Sequence, residues 1–485
     1  MRWIPATSRT SFKFIAVFVA GALIGAFSAI EVADRTTTTT RVADRGDGPA
    51  GPGAGPSGGG PAPTATGTSS TGPGAGPLAQ PPPGLQCAPG RNGGRTDTGV
   101  TATSIKLATT TVQSGIGSAF LGDVKYAMEA VKNKVNRGGG ICGRLLDIKY
   151  VDDVWRADLG SDDIRNFIHD GYFAMPVGPS SEGLNAVIKS GDIRAAGFPV
   201  IGTDGMVILQ YRDPWVWSVA AATVSTARIM ADDAYKRGAR KFSIVYDNNY
   251  KFGQEAASAF NAEVRRLTRY NIDGYPDTNC NKSYCGIQAG KSDYGGDVAN
   301  FKPGDFVAMF LEPTTALAWM KTVGAPTPAT VRYGIGAAQP LFTFDFGKNC
   351  QEACDQMQVW TAYKPPLEDY ATDPHVREYH TDLNNTNNRA DEDNAFAEGG
   401  YVGMQLLEDA LRRVGPFLTR ARLAAVLNSM TFRSGLTVQD TLRWSPTSRF
   451  ANTTMQAWTM NYRGTFSGWT TGPIVTDRHP EYGTG

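Results

Sequence analysis

From about Val100 onward, short β-branched runs alternate with longer stretches in which apolar residues recur every three or four positions, so the chain predicts strands alternating with helices. Ser104 to Thr109 (SIKLAT) reads as the first strand. Gly122 to Asn136 places Val124, Met128, Val131 and Val135 on one helical face, and Gly138-Gly139-Gly140 stops that helix before a strand from Leu145 to Val151. A helix from Asp162 to Asp170, a strand from Phe173 to Val177, a helix from Gly183 to Ser190 and a strand from Pro199 to Ile201 complete one doubly wound lobe. A second series repeats the plan. It has a helix from Val224 to Arg237, a strand from Lys241 to Tyr246, a helix from Gln254 to Leu267, a strand from Asp305 to Leu311, a helix from Thr314 to Val323 and a strand from Arg332 to Ile335. After a polar and aromatic stretch come a long amphipathic helix from Ala397 to Arg413, a shorter one from Thr419 to Asn428 and strand-like pieces from Thr454 to Asn461. Such alternation predicts an α/β chain with parallel sheets in two lobes, whose ligands gather in the cleft beyond the carboxyl ends of the strands.

The N-terminal part follows neither rhythm. Arg2, Arg9 and Lys13 precede an unbroken apolar and small-residue run from Phe14 to Ile30, the pattern of an export or membrane-insertion signal. As a helix it would span roughly 25 Å, the short end of what crosses a bilayer. Ala26-Phe27-Ser28 also offers small residues for cleavage, so anchor and cleaved signal are both open. Between Gly46 and Gly84, 23 of 39 residues are Gly or Pro and Leu78 is the only large aliphatic, so nothing there can build a core and the stretch reads as a solvated tether. Residues 1–35 are therefore expected to be the signal or anchor segment and 36–97 a disordered linker.

Charge narrows the partners. With 47 basic and 46 acidic residues the net charge is +1 and no polybasic run occurs, which argues against nucleic acid as a partner. Six cysteines lie beyond the apolar run, and export permits disulfides. The short spacings suggest Cys280 with Cys285 and Cys350 with Cys354, leaving Cys87 for Cys142, while no C-x-x-C or His/Cys mixture points to zinc. The Cys350–Cys354 pair is the hardest to form, because a four-residue separation bridges poorly in a helix. His169, His375, His380 and His479 are scattered, no G-x-S-x-G elbow or phosphate-binding G-x-x-x-x-G-K-[ST] occurs, and Gly334-Ile335-Gly336 lacks the third glycine of a dinucleotide loop. The chain is therefore expected to be no enzyme and to carry neither a cofactor nor a metal.

Several motifs stand in a telling order: Ser114-Gly115 after the first strand with Phe120-Leu121-Gly122-Asp123, then Val135 to Gly143 (VNRGGGICG), Gly178-Pro179-Ser180-Ser181 and Phe198-Pro199-Val200-Ile201. Val245-Tyr246-Asp247-Asn248 leads to Phe252-Gly253, and Ala289 to Tyr294 is followed by Pro303-Gly304-Asp305-Phe306. From about Ile105 to about Gly464 the chain resembles the type I periplasmic binding proteins, the Leu/Ile/Val (branched-chain amino acid) binding proteins of ABC importers. The resemblance implies two Rossmann-like lobes that close on a ligand, with crossovers near Ser218 to Ala222, Val359 to Tyr363 and Leu442 to Pro446. It implies a first lobe built from 98–220 and 359–442 and a second from 221–358 and 443–485. By the same resemblance Ser180 and Ser181 would hold a ligand carboxylate, Thr203 and Asp204 would add polar contacts, Phe252 would pack over the ligand and Asp345 would receive its ammonium. Glu312 stands at a pocket position usually aromatic or small, which argues for a more polar solute than a branched aliphatic one. The expectation is an extracytoplasmic protein, anchored by its N-terminal helix or secreted, that captures a small polar solute, an amino acid among the candidates, for an ABC permease. A ligand-sensing receptor ectodomain that signals through a partner is the alternative.

Overall fold

Five short strands make the first sheet: β1 (Ser104–Thr111), β2 (Leu145–Asp152), β3 (Met175–Pro176), β4 (Val200–Thr203) and β5 (Val216–Ser218). β1 pairs in parallel with β2, and a parallel bridge from Leu107 to Ala174 joins it to β3, β4 and β5, so the order across the sheet is 2-1-3-4-5. The second sheet contains β6 (Phe242–Asp247), β7 (Tyr284–Ile287), β8 (Phe306–Phe310), β9 (Arg332–Ile335) and β10 (Gln358–Thr361), all parallel, in the order 7-6-8-9-10. That is the same winding counted from β6. The helices return each chain segment to the sheet face, where β6 and β8 are buried along their whole length, as strands covered on both sides must be. A small hairpin, β11 (Thr431–Phe432) with β12 (Leu442–Arg443), precedes β13 (Thr454–Tyr462) and β14 (Phe466–Thr476), which extend the second sheet antiparallel beyond β10. The computed structural model describes Cys87 and residues 90–324, 332–335 and 344–481, all within one compact unit.

The chain passes between the sheets three times: after β5, after β10 and before β13. The first and third of these passages are stitched to each other, and the second is held by the loop between β11 and β12. Ala221 bridges to Asn452 and Tyr363 to Thr437, the Asn452 side-chain amide donates to the Val219 carbonyl (3.0 Å), and the Trp444 indole N–H donates to the Ser218 carbonyl (2.9 Å). A bundle of three extended segments bends more readily than either packed sheet, so the geometry of a hinge is present. Both the helix Val124–Arg137 and the helix Ala395–Val414, drawn from distant parts of the sequence, pack together on the first sheet. The close approach is set by glycine: a Cβ on Gly202 (φ +83°) in β4 would lie 2.4 Å from the Cα of Gly403 in the long helix.

One expectation changes in detail. The folded part begins before residue 98, because Asn92 is buried with its side-chain amide donating to the carbonyls of Ala102 and Cys142, and Asp97 accepts the Arg420 N–H at 2.7 Å. Composition concealed this, since a few hydrogen-bonded polar residues suffice to tie a short segment down. The disulfides pair as the spacing suggested, Cys87–Cys142, Cys280–Cys285 and Cys350–Cys354. The last forms because the helix Phe344–Cys350 ends at the cysteine and Gln351 takes φ +52°, turning the chain into a 3-10 segment. The apolar run 14–30 and the Gly/Pro-rich stretch lie outside the described residues, among which no helix is long and apolar enough to cross a membrane.

Candidate functional site

Loops at the carboxyl ends of β2 and β6 meet in the cleft between the two sheets. Asp153, Val154 and Trp155 follow β2, and Val154 and Trp155 both take left-handed backbone angles (φ 56° and 60°), a costly choice for a β-branched and a bulky residue. The result aims the indole at the other lobe. Trp155, only 3% exposed, stacks on Tyr250 with ring centroids 4.2 Å apart and an 18° tilt, and is flanked by Phe252 and Phe120. Two further hydrogen bonds tie the lobes. Lys251 N–H, beside Tyr250, donates to Glu182 Oε1 at the start of the helix Ser181–Ser190 (2.8 Å), and Ile208 N–H donates to Glu255 Oε2 in the helix Lys251–Thr268 (2.7 Å). Each lobe thus offers a carboxylate to the other's backbone, and the cleft is shut.

Carboxyl groups crowd this joint. Asp247, at the end of β6, is fully buried; its Oδ1 accepts the Asn249 N–H while Oδ2 has no hydrogen-bond partner. Burial, reinforced by the charges of Glu312 and Glu182, pushes its pKa up to about 7. Burial likewise raises Glu182 and Glu255, and it carries Tyr250 up to about 12 with help from the charges of Asp247, Glu312 and Glu182. In the first lobe, Asp204 rises to about 7 by burial although Gln210 and the Met206 N–H donate to Oδ1. Asp153 rises to about 6; the Ser180 and Thr110 hydroxyls approach it and temper the effect of burial, yet neither closes a hydrogen bond of full geometry. Such a cleft holds these protons to a higher pH than carboxylates in water do.

The residues singled out from the sequence divide into groups. Ser180 stands at the N-cap of the helix Ser181–Ser190, but its buried hydroxyl caps nothing and has no partner. Ser181 is fully buried, its hydroxyl 3.9 Å from the Met206 sulfur. Thr203 and Asp204 sit together at the end of β4, each with an enclosed oxygen lacking a partner, and line a small cavity with Val177, Pro179 and Tyr363. Phe252 joins the aromatic group on the other lobe. Glu312 caps its own helix, Pro313–Val323, both oxygens accepting from the Thr314 and Thr315 N–H groups (2.7 and 2.6 Å), which leaves its charge facing Asp247 and Tyr250. Asp345 falls in the helix Phe344–Cys350, and its side chain lies outside the described residues. Sequence reasoning passed over Trp155, Tyr250, Glu182, Asp247 and Glu255. A tryptophan and an Asp-Asn-Asn turn, each directly after a strand end, were the available signals. Among the described residues no group of three or more His, Cys, Asp or Glu side chains is placed to hold a metal ion.

Two sheets of identical winding, three adjoining crossovers and an aromatic and acidic joint at the strand ends define a hinged, two-lobed binding protein. The chain belongs to the periplasmic binding protein family, of the type I, Leu/Ile/Val-binding kind: the family's sequence model matches residues 104–464. No curated protein sequence matches the chain. Similar solved structures include a possible leucine/isoleucine/valine-binding protein from Rhodopirellula baltica SH 1, 13% identical over 76% of this chain and 96% of that one, with a TM-score of 0.64. A fatty acid ABC transporter substrate-binding protein from Thermomonospora curvata is 17% identical over 81% and 96% of the two chains (TM-score 0.63). An ABC transporter solute-binding protein from R. palustris, in complex with 4-hydroxybenzoate, is 15% identical over 78% and 99% (TM-score 0.64). At such identities the likeness concerns the fold.

Proposed function

We propose that this chain is an extracytoplasmic solute-binding protein that captures a small polar solute by closure of its two lobes and presents it to an ABC permease. The observation that carries the reading is the cleft itself, where Trp155 of one lobe stacks on Tyr250 of the other and the Glu182 and Glu255 carboxylates take backbone N–H groups across the joint. Contacts of this kind form only when the lobes meet, so anything that binds between them shifts the balance of open and closed states. Binding rather than catalysis is the chemistry on offer. Three disulfides suit a protein outside the cytoplasm, and the run from Phe14 to Ile30 with its Gly/Pro-rich tether would hold it at the membrane. The solute would meet Ser180, Ser181, Thr203 and Asp204 on the first lobe and Phe252, Glu312 and Asp345 on the second. The fatty acid and 4-hydroxybenzoate associated with the similar proteins widen the candidates beyond amino acids.

A thermal-shift panel of the intact chain against amino acids, aromatic acids and fatty acids tests the reading. A solute at a hundred times its Kd raises stability by about 2.7 kcal/mol. One class is expected to shift the melting temperature, and Ser181→Ala is expected to weaken that class at least fivefold. For an ammonium-bearing solute, Asp345→Ala is expected to cost roughly 2–5 kcal/mol of binding without lowering the melting temperature of the free protein. No shift from any class, or a shift indifferent to both substitutions, would remove this cleft as the solute site.

A further inference from the structure

On the outer side of the same joint lies a separate cavity of about 460 Å³, within the range of small-molecule sites. Its chemistry is the reverse of the inner cleft. Lys189 and Arg212 reach it from the first lobe and Lys251 from the second, with the polar side chains of Asn185 and Ser258 between them. All three cations are exposed, and neither Lys189 nor Lys251 lies within ion-pair distance of a carboxylate among the described residues, while the charges of Glu182 and Glu255 act on Lys251, and that of Glu255 on Arg212, from further off. One carboxylate enters the cavity, that of Glu255, and its Oε2 is engaged by the Ile208 N–H. We propose that this vestibule is a second ligand site, taking a compact dianion such as inorganic phosphate or a small dicarboxylate whose charge bridges Lys189 of one lobe to Lys251 of the other.

Cations brought together by closure repel one another, and the part of that repulsion which Glu182 and Glu255 leave uncompensated opposes the Lys251 N–H to Glu182 and Ile208 N–H to Glu255 hydrogen bonds that border the cavity. A dianion between them turns the repulsion into two attractions. Because the cations come from both lobes, the full site exists only when the lobes are apposed, so the anion favours closure without occupying the inner cleft. Anion supply would then set how readily the protein closes on its solute. The site requires nothing of the residues assigned to the solute, and its test is independent of that assignment.

The probes are sodium phosphate and sodium succinate, titrated into the intact chain at constant ionic strength with sodium chloride as the reference, and read by thermal shift and isothermal titration. At least one dianion is expected to bind saturably and to raise the melting temperature beyond chloride. Lys189→Gln and Lys251→Gln are each expected to weaken that binding roughly fivefold, the order of a single exposed charge contact, and the double variant to abolish it. Glu255→Gln is expected to leave it equal or tighter. Both lysines are exposed, so without anion the variants should melt at or slightly above the parent as the repulsion is relieved, and this control separates lost binding from lost folding. Absence of saturable binding by both dianions, or binding that survives in the double variant, overturns the proposal.

Discussion

Replacing Asp247 with asparagine is expected to stabilise the protein at pH 8 by roughly 2–4 kcal/mol and to leave it unchanged at pH 4. The ordinary aspartate value is 3.8 and the folded value is about 7, so the native state holds this proton more tightly than the unfolded chain does. A carboxyl raised in this way contributes its stability fully below about pH 4 and loses it as the pH climbs through about 7, after which the native state contains a buried, incompletely bonded anion facing Glu312 and Glu182. Asparagine removes the charge, keeps an oxygen for the Asn249 N–H and directs an amide N–H₂ toward the acids. Asp204 and Asp153 shift the same way, so the parent protein should melt at a higher temperature at pH 5 than at pH 8. Denaturant titrations of parent and variant at the two pH values decide it. Equal stabilities at pH 8 would mean that Asp247 is already neutral or solvated there.

Trp155→Ala should cost about 3–5 kcal/mol, the range for deleting a buried tryptophan. Its ring is packed by Phe120 on its own lobe and by Tyr250 and Phe252 on the other, so the loss falls partly on the first lobe and partly on the joint. Trp155→Phe should recover more than half of it. Small-angle scattering of the alanine variant is expected to report a larger radius of gyration, because the stacked pair that holds the lobes together is gone. A loss below about 1 kcal/mol with no change in radius would show that the stack contributes little to closure.

The fold was largely legible. Where a helix buries a regular stripe, as in Val124–Arg137 or Ala395–Val414, its apolar spacing reveals it, and strands as β-branched as Phe242–Asp247 declare themselves. Elements with weak local signals went unread. β7 has only four residues, one of them Gly286, at the edge of its sheet, and β10 (QVWT) is a short strand between β9 and β13. The helix Pro374–Thr386 buries only Val376, Tyr379 and Leu383, though Asp373 at its N-cap and Pro374 at its first position are a start signal that could have been used.

Sequence alone sufficed for the alternating α/β plan, the two lobes and the order of motifs that resembles the binding-protein family, and it suggested the two short-range cysteine pairs, because these depend on periodicity, spacing and chemistry carried by neighbouring residues. It could not say that Trp155 meets Tyr250, that Glu182 and Glu255 each serve the opposite lobe, or that Lys189 and Lys251 face one cavity. These partners lie 95, 69, 47 and 62 positions apart, respectively, in the chain. Their contacts arise only when two separately wound sheets are brought face to face through three adjoining crossovers. The same burial that raises the carboxyl pKa values at this joint is a property of the assembled cleft, where water is excluded from both sides at once.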